Sequence, residues 1–328
     1  MTAHIMRFLI RGFAAALTFF ILAPGAARAA FPDHPITLIV PYAAGGPMDR
    51  LARQLAAKLN LQLNQPIVIL NRGGAGGNIG AVSAKHAAPD GYMLFLDHIH
   101  MATAPSLERK LDFNPLGDFT PLGIFVESPL VLIARPGIPV DNKDDFLRWM
   151  ASQAQVSMAN AGTGSASFLC SSLLQSGLKK HITMVPYRGT GPAMIDLLSG
   201  QVDLMCDLTA NAIPQVQAGK VKAIAVTVPQ PLIGTALATT PTMQDFGIPV
   251  APLTVWYGLY APAKTPDSVV RKISEALRTV VKDPEFRKEQ ADAGLKVITD
   301  ERLAPEGHRD FLEAEIKRWG SVIQEPGN

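Results

Sequence analysis

Residues 36–63 read ITLIVPYAAGGPMDRLARQLAAKLNLQL, in which a strand-like run, a glycine loop and a helix-like run follow one another. Ile36 to Val40 is apolar and largely β-branched without alternation, as in a strand covered on both faces. Leu51, Leu55, Leu59 and Leu63 then recur every fourth residue, which predicts a helix with one apolar face. Between the two, Gly46 can serve as the N-cap, Pro47 suits the first helical position, and Asp49 adds negative charge to the first turn. The loop therefore carries backbone N–H groups to the C-terminal end of a strand. Open α/β sheets bind ligands there, and a helix N-terminus favours an anion.

The unit recurs along the chain. Residues 67–70 predict a short strand, 71–77 (NRGGAGG) a turn, 79–88 a helix and 93–99 (MLFLDHI) the next strand, with Pro89-Asp90-Gly91 as turn chemistry between the last two. A strand over 129–134 and a helix over 144–154 follow. Residues 156–168 (VSMANAGTGSASF) then repeat the logic of the first loop. A strand ends, Gly162 and Gly164 allow a tight turn, and Ser165 can cap a helix running to Ser176. Farther on, 193–198 predicts a helix, 202–206 a strand that delivers Asp207 to its end, and 223–228 a buried strand. Residues 254–260 (TVWYGLY) predict a returning strand, with Trp256 and Tyr260 as core. Tyr42, set in a glycine loop, is expected in a cleft. Val269, Ile273, Leu277 and Val281 form the stripe of one late helix, and Phe311, Ile316 and Trp319 lie on another.

The chain has 328 residues, 48% hydrophobic and 18% charged, a globular composition. Arg7 and Arg11 precede an apolar stretch from Phe13 to Leu22, and Ala27-Arg28-Ala29 follows. That order predicts a secretory signal peptide cleaved after Ala29, since the stretch is shorter than the ~20 residues of a spanning helix. The part of the chain after Ala29 carries 27 basic against 28 acidic residues, because Arg7, Arg11 and Arg28 are lost with the leader. A near-neutral protein gives no electrostatic case for binding nucleic acid. About 300 remaining residues suit two domains, expected at 30–133 with 256–328, and at 134–255. No linker of distinct composition separates them. The crossings are therefore expected on strands near 131–135 and 256–260, as a hinge of two segments. Cys170 and Cys206 can pair in an exported protein or be small buried hydrophobes, and their spacing leaves both open.

Enzyme motifs fail on inspection. In residues 73–80 (GGAGGNIG), Ala75 and Ile79 fall where a dinucleotide loop needs glycine, and no G-x-x-x-x-G-K-[ST] occurs. Ser165 lies outside any G-x-S-x-G, and no histidine has a clear triad partner. His98 and His100, two apart on the expected strand, would share a face. Without an accompanying ligand set they are read as a polar strand end lining a cleft or meeting solvent rather than as a metal site.

The loop from Pro41 to Asp49 with Ala52-Arg53, then Asn71 to Gly77, Pro89-Asp90-Gly91-Tyr92, Ala161 to Ser165, Val185-Pro186-Tyr187-Arg188-Gly189, Asp196-Leu197-Leu198 with Gly200, and Ala261-Pro262 resemble, in order, the Bug-type solute receptors of tripartite tricarboxylate transporters. The resemblance implies a two-domain α/β periplasmic binding protein of type II-like architecture, with its ligand cleft between the domains. It implies a monomer without cofactor, metal or catalysis, which captures a small carboxylated solute and presents it to membrane transporter subunits. An exported enzyme acting on a carboxylated substrate, or a ligand-sensing partner of a signalling receptor, would use similar parts. Carried onto this chain, the ligand set is Tyr42, Ala43, Ala44, Gly45, Gly46, Met48 and Asp49 from the first loop. Asn160, Gly162, Thr163, Gly164 and Ser165 come from the second, with Asp207 and His98 nearby. Phe168 stands where the family often has His, which implies a more apolar pocket. The segments around Cys170 and Asp203 to Asp207 resemble a branch that includes receptors for aromatic carboxylates, with dicarboxylates and amino acids also open.

Overall fold

A computed structural model describes residues 31–108, 110–247 and 253–324. The expected leader and its cleavage site at Ala29 lie outside the described residues. The chain from His34 onward makes one compact unit. No helix among the described residues is long and apolar enough to cross a membrane.

The opening run folds as its pattern demands. β1 (Ile36–Val40) leads through the glycine loop into α1 (Pro47–Leu63), with Gly46 as N-cap and Leu51, Leu55, Leu59 and Leu63 buried. β2 (Ile67–Asn71), α2 (Asn78–Lys85), β3 (Met93–Asp97) and α3 (His100–Leu107) follow, and β1 pairs in parallel with both β2 and β3. Then come β4 (Phe119–Ala134), α4 (Lys143–Ser152), β5 (Ser157–Asn160), α5 (Ala166–Leu178), β6 (Thr183–Pro186), α6 (Thr190–Leu198), β7 (Leu204–Leu208), α7 (Thr209–Gln217) and β8 (Lys222–Val226). β9 (Thr254–Pro262), α8 (Asp267–Val280), α9 (Pro284–Asp292), β10 (Lys296–Val297) and α10 (Pro305–Gln324) complete the described chain. The strands form one sheet in the order β2-β1-β3-β9-β4-β7-β5-β6, with β8 and β10 paired to β4.

β4 joins the two halves of this sheet. Its first part pairs with β9 as far as Pro129 opposite Thr254, and from Leu130 onward it pairs with β7 and β8. The transition thus falls between Pro129 and Leu130. Thr227 clasps it: its hydroxyl takes the Leu130 N–H at 2.9 Å and donates to the Leu253 carbonyl at 2.8 Å. The strand expected over 129–134 begins ten residues earlier, at Phe119, and runs through Pro121, Gly123 and Pro129. Register shifts between Pro121 and Gly123, and between Ile124 and Val126, accommodate them.

Two other expectations shift in ways that bear on the site. β3 ends at Asp97, whose Oδ1 accepts the His98 N–H at 2.9 Å, and His100 already opens a helix, so His98 and His100 do not share a strand face. β7 runs from Leu204 to Leu208, so Asp207 sits inside a strand rather than after one. Trp256 and Tyr260 are buried as expected, and Gly258 between them leaves the room that the His308 ring fills. Cys170 and Cys206 are joined as a disulfide between α5 and β7.

Candidate functional site

The N-termini of α1, α5 and α6 and the end of β7 converge on one cavity. From the first loop it takes Tyr42, Gly46, Pro47 and Met48, and from the second Ala161, Ser165, Ala166 and Ser167. His98, Leu130, Thr190, Cys206, Asp207 and Leu208 complete the wall. The cavity measures about 30 Å³, room for one or two waters.

The first lip is held by its own side chains. Gly45 has φ +83°, a conformation that glycine adopts without strain. The Asp49 carboxylate accepts the Gly45 N–H at 3.0 Å and a two-pronged contact from Arg53 at 3.0 Å on each oxygen. Burial raises the Asp49 pKa, but the bonds from Arg53, Gly45 and Asn71 outweigh it and hold the carboxyl below its usual range. Asp49 thus braces the loop and turns away from the cavity. The Tyr42 hydroxyl donates to the Gly76 carbonyl at 2.7 Å, and its ring lies 5.2 Å from that of His98. Burial raises the phenol well above its ordinary pKa.

The second lip follows the capping logic read from sequence. Ser165 is the N-cap of α5, and its hydroxyl accepts the Phe168 N–H at 3.2 Å. Gly162 and Gly164 take φ +94° and +86°. The Asn160 side chain accepts the Gly162 N–H at 2.9 Å, and Ser167 accepts that of Ala161 at 2.9 Å. Asn160, Gly162, Thr163 and Gly164 therefore shape the lip from behind. Phe168, expected to make the pocket apolar, does not line it; Pro47, Leu130, Ala161, Ala166 and Leu208 do.

The lips touch. The Ala43 N–H donates to the Arg188 carbonyl at 3.0 Å, and Thr103 donates to the Gly164 carbonyl at 3.0 Å. Arg50, on the first turn of α1, reaches across to the Ala210 carbonyl at 3.3 Å and the Asn211 side chain at 2.7 Å. Gly76 faces Thr163 so closely that a Cβ at Gly76 would stand 1.6 Å from the Thr163 oxygen.

Of the expected ligand set, Tyr42, Gly46, Met48, His98, Ser165 and Asp207 meet at the cavity. Ala43, Ala44, Gly45, Asp49, Asn160, Gly162, Thr163 and Gly164 belong to the lips without lining it. Thr190 lines the cavity outside the expected set, and its sequence signal is the run Gly189-Thr190-Gly191, a third glycine turn opening a helix. His98 is uncharged: burial pulls its pKa down to about 4, and its Nδ1 accepts the His100 N–H at 3.1 Å. His100 bonds Asp97 at 2.7 Å and Asn78 at 2.9 Å behind the wall. Among the described residues, no group of three or more His, Cys, Asp or Glu side chains is arranged to hold a metal ion.

Residues 51–327 match the family described as the tripartite tricarboxylate transporter family receptor. The chain belongs to that family. Among its relatives, BugT of Bordetella pertussis is 32% identical over 90% of this chain and 90% of its own. The periplasmic binding protein BugD superposes with a TM-score of 0.87 at 38% identity, covering 90% of this chain and 98% of that one. MatC from Rhodopseudomonas palustris, solved with bound malate, does so with 0.84 at 36% identity over 90% and 100%. The fold of this family receptor is accordingly that of Bug-type periplasmic solute-binding proteins.

Proposed function

We propose that this receptor captures a small carboxylated solute between its two glycine lips and delivers it to a tripartite tricarboxylate-type membrane transporter. The observation that carries the reading is the convergence of the α1 and α5 N-termini on one cavity. Helix N-termini present N–H groups and positive dipole ends, which favour a carboxylate without a buried cation. The bound malate of MatC supports a dicarboxylic acid, and the apolar wall supports an aromatic or otherwise largely apolar one. At about 30 Å³ the cavity is too small for either, so the lips must part to admit a solute. The motion we infer is closure of a lobe of 134–255 upon one of 30–133 and 256–328, about β4 and the return into β9. We infer that export is accompanied by cleavage after Ala29, which N-terminal sequencing of the exported protein reads directly. Mass spectrometry of solute released from gently purified protein, with a thermal-shift screen of carboxylic acids, tests the receptor reading. Turnover of an acid, or no stabilisation by any, would overturn it.

A further inference from the structure

The cavity wall contains one carboxyl group and no charged base. Asp207 is fully buried. Its Oδ1 accepts the Leu208 N–H at 2.8 Å, its other oxygen accepts the Asn211 amide, and the Thr190 hydroxyl favours the ionised carboxyl. The guanidinium nearest to it, that of Arg50 on α1, stops one group short: Arg50 bonds Asn211 at 2.7 Å, and an amide stands between the two charges. Of the other titratable groups facing this region, Asp97 lies behind the wall with its carboxyl bonded to His100 at 2.7 Å. His98 is held uncharged by burial, and burial raises the phenols of Tyr257 on β9 and of Tyr42. A solute carboxylate seated on the lips would therefore share a closed, water-poor cavity with a second carboxylate. Two like charges so confined cannot both stay ionised.

We propose that the closed cleft takes up an anionic solute together with one proton, held on Asp207. The inference rests on the receptor reading. The proton comes from solvent: the Asp207 carboxylate becomes a carboxylic acid, and no other bond changes. Each oxygen already accepts one N–H, so the new O–H occupies a remaining lone-pair position and can donate to the solute. Burial outweighs the bonds from Asn211, Leu208 and Thr190 and the charge of Arg50, and raises Asp207 to about 7 before any solute enters, so the cost of adding the proton near neutral pH is small. Asp207 is thereby a specificity-determining residue, which offers a donor to an oxygen-bearing acid and a repulsive charge when it fails to protonate.

The test is isothermal titration of the full mature protein with malate, adipate and benzoate at pH 6.0, 7.5 and 8.5, in buffers of different ionisation enthalpy. Any acid that binds should take up close to one proton at pH 8.5, and its Kd should rise about tenfold from pH 7.5 to 8.5. Asp207→Asn keeps the size of the group and supplies an N–H donor, and it should bind with no proton uptake and a flat pH profile. Zero uptake by the wild-type protein, or uptake that persists in Asp207→Asn, would overturn the inference while leaving the receptor reading standing. If none of the acids binds at any pH, the carboxylate reading falls and this inference with it. Should Asp207→Asn fail to fold, carboxyl-carbon NMR of the wild-type protein labelled at aspartate reads the same proton. One resonance should titrate near 7 in the free protein and remain in its protonated position at pH 8 with acid bound; an ionised Asp207 in that complex would overturn the proposal.

Discussion

Gly76→Ala should prevent the 71–77 turn from closing on the second lip while the fold survives. A Cβ at Gly76 would lie 1.6 Å from the Thr163 oxygen and 2.8 Å from its carbonyl carbon, and real Cβ contacts essentially never fall below 3.0 Å. The difference, 3.0 less 1.6, means the loops must separate by at least about 1.4 Å at this point. Both partners are backbone, so no side chain can swing aside. Gly76 also has φ +65°, which costs an alanine about 1 kcal/mol in any state that keeps that conformation. Gly45→Ala supplies the control, because it has φ +83° and nothing within 4 Å of the added carbon. The two variants share the backbone penalty and differ in the clash. Overpacking of this kind costs about 1–3 kcal/mol, so affinity for the co-purified acid should drop roughly 5- to 150-fold in Gly76→Ala. In Gly45→Ala it should stay within a few-fold. Titration calorimetry gives the affinities, and small-angle scattering at saturating acid should show Gly76→Ala more extended. Equal affinity in the two variants would refute the closure argument, since the clash would then be relieved at no cost to binding.

Arg50→Ala removes the bonds from α1 to Ala210 and Asn211, and should weaken solute binding about 2- to 12-fold with little change in the unfolding midpoint; unchanged affinity would deny Arg50 a part in holding the lips together. Opening the Cys170–Cys206 bond, which closes a separation of 36 residues, should cost roughly 4 kcal/mol in the chain-entropy account, read as a shift of the denaturation midpoint with and without reductant. Acidification from pH 6 to 4.5 should also destabilise the fold. Over that range the unfolded chain protonates His98 and His308, whose folded pKa values are about 4 and about 3, whereas the folded chain alone keeps the proton of Asp207, at about 7. The unfolded state thus binds about one more proton, so stability should fall by about 1.4 kcal/mol per pH unit, and more steeply in Asp207→Asn. Urea unfolding across that range decides it, and stability that rises on acidification would contradict the sign.

What the sequence reveals is whatever local chemistry determines. Gly46 and Pro47 fix where α1 starts, and Ser165 fixes where α5 starts, because capping is settled within four residues. The role of Asp49 is not legible in the same way. A carboxylate in the first helical turn can face a ligand or an arginine four residues on, and Arg53 takes it here. Phe168 misleads for a related reason: the cap that directs its N–H to Ser165 places Ala166 and Ser167 toward the cavity instead. Leu130 could not be chosen from spacing at all, and the glycine turn at Thr190 does not say which lip it would face. Leu130 enters because β4 crosses from one half of the sheet to the other at that residue, and Thr190 because the turn before α6 folds back onto the first lip.

That long-range convergence is the means by which the proposed site would favour an anion without a cation in its wall. The positive ends of α1 and α5 come from lips far apart in sequence, and each end alone favours an anion by about 0.3–1 kcal/mol when exposed. Bringing both into one water-poor cavity raises their worth, since the same dipoles act in a lower effective dielectric. Arg50 stays outside, bonded to the Gly45 carbonyl at 2.9 Å and to Asn211. There it strengthens the closed arrangement without offering the solute a charge that would bind it in the open form. A ligand shifts an equilibrium only by its difference in affinity for the two states. Dipoles that converge only on closure make that difference large, whereas a lysine or arginine on one lip would contribute much the same in both.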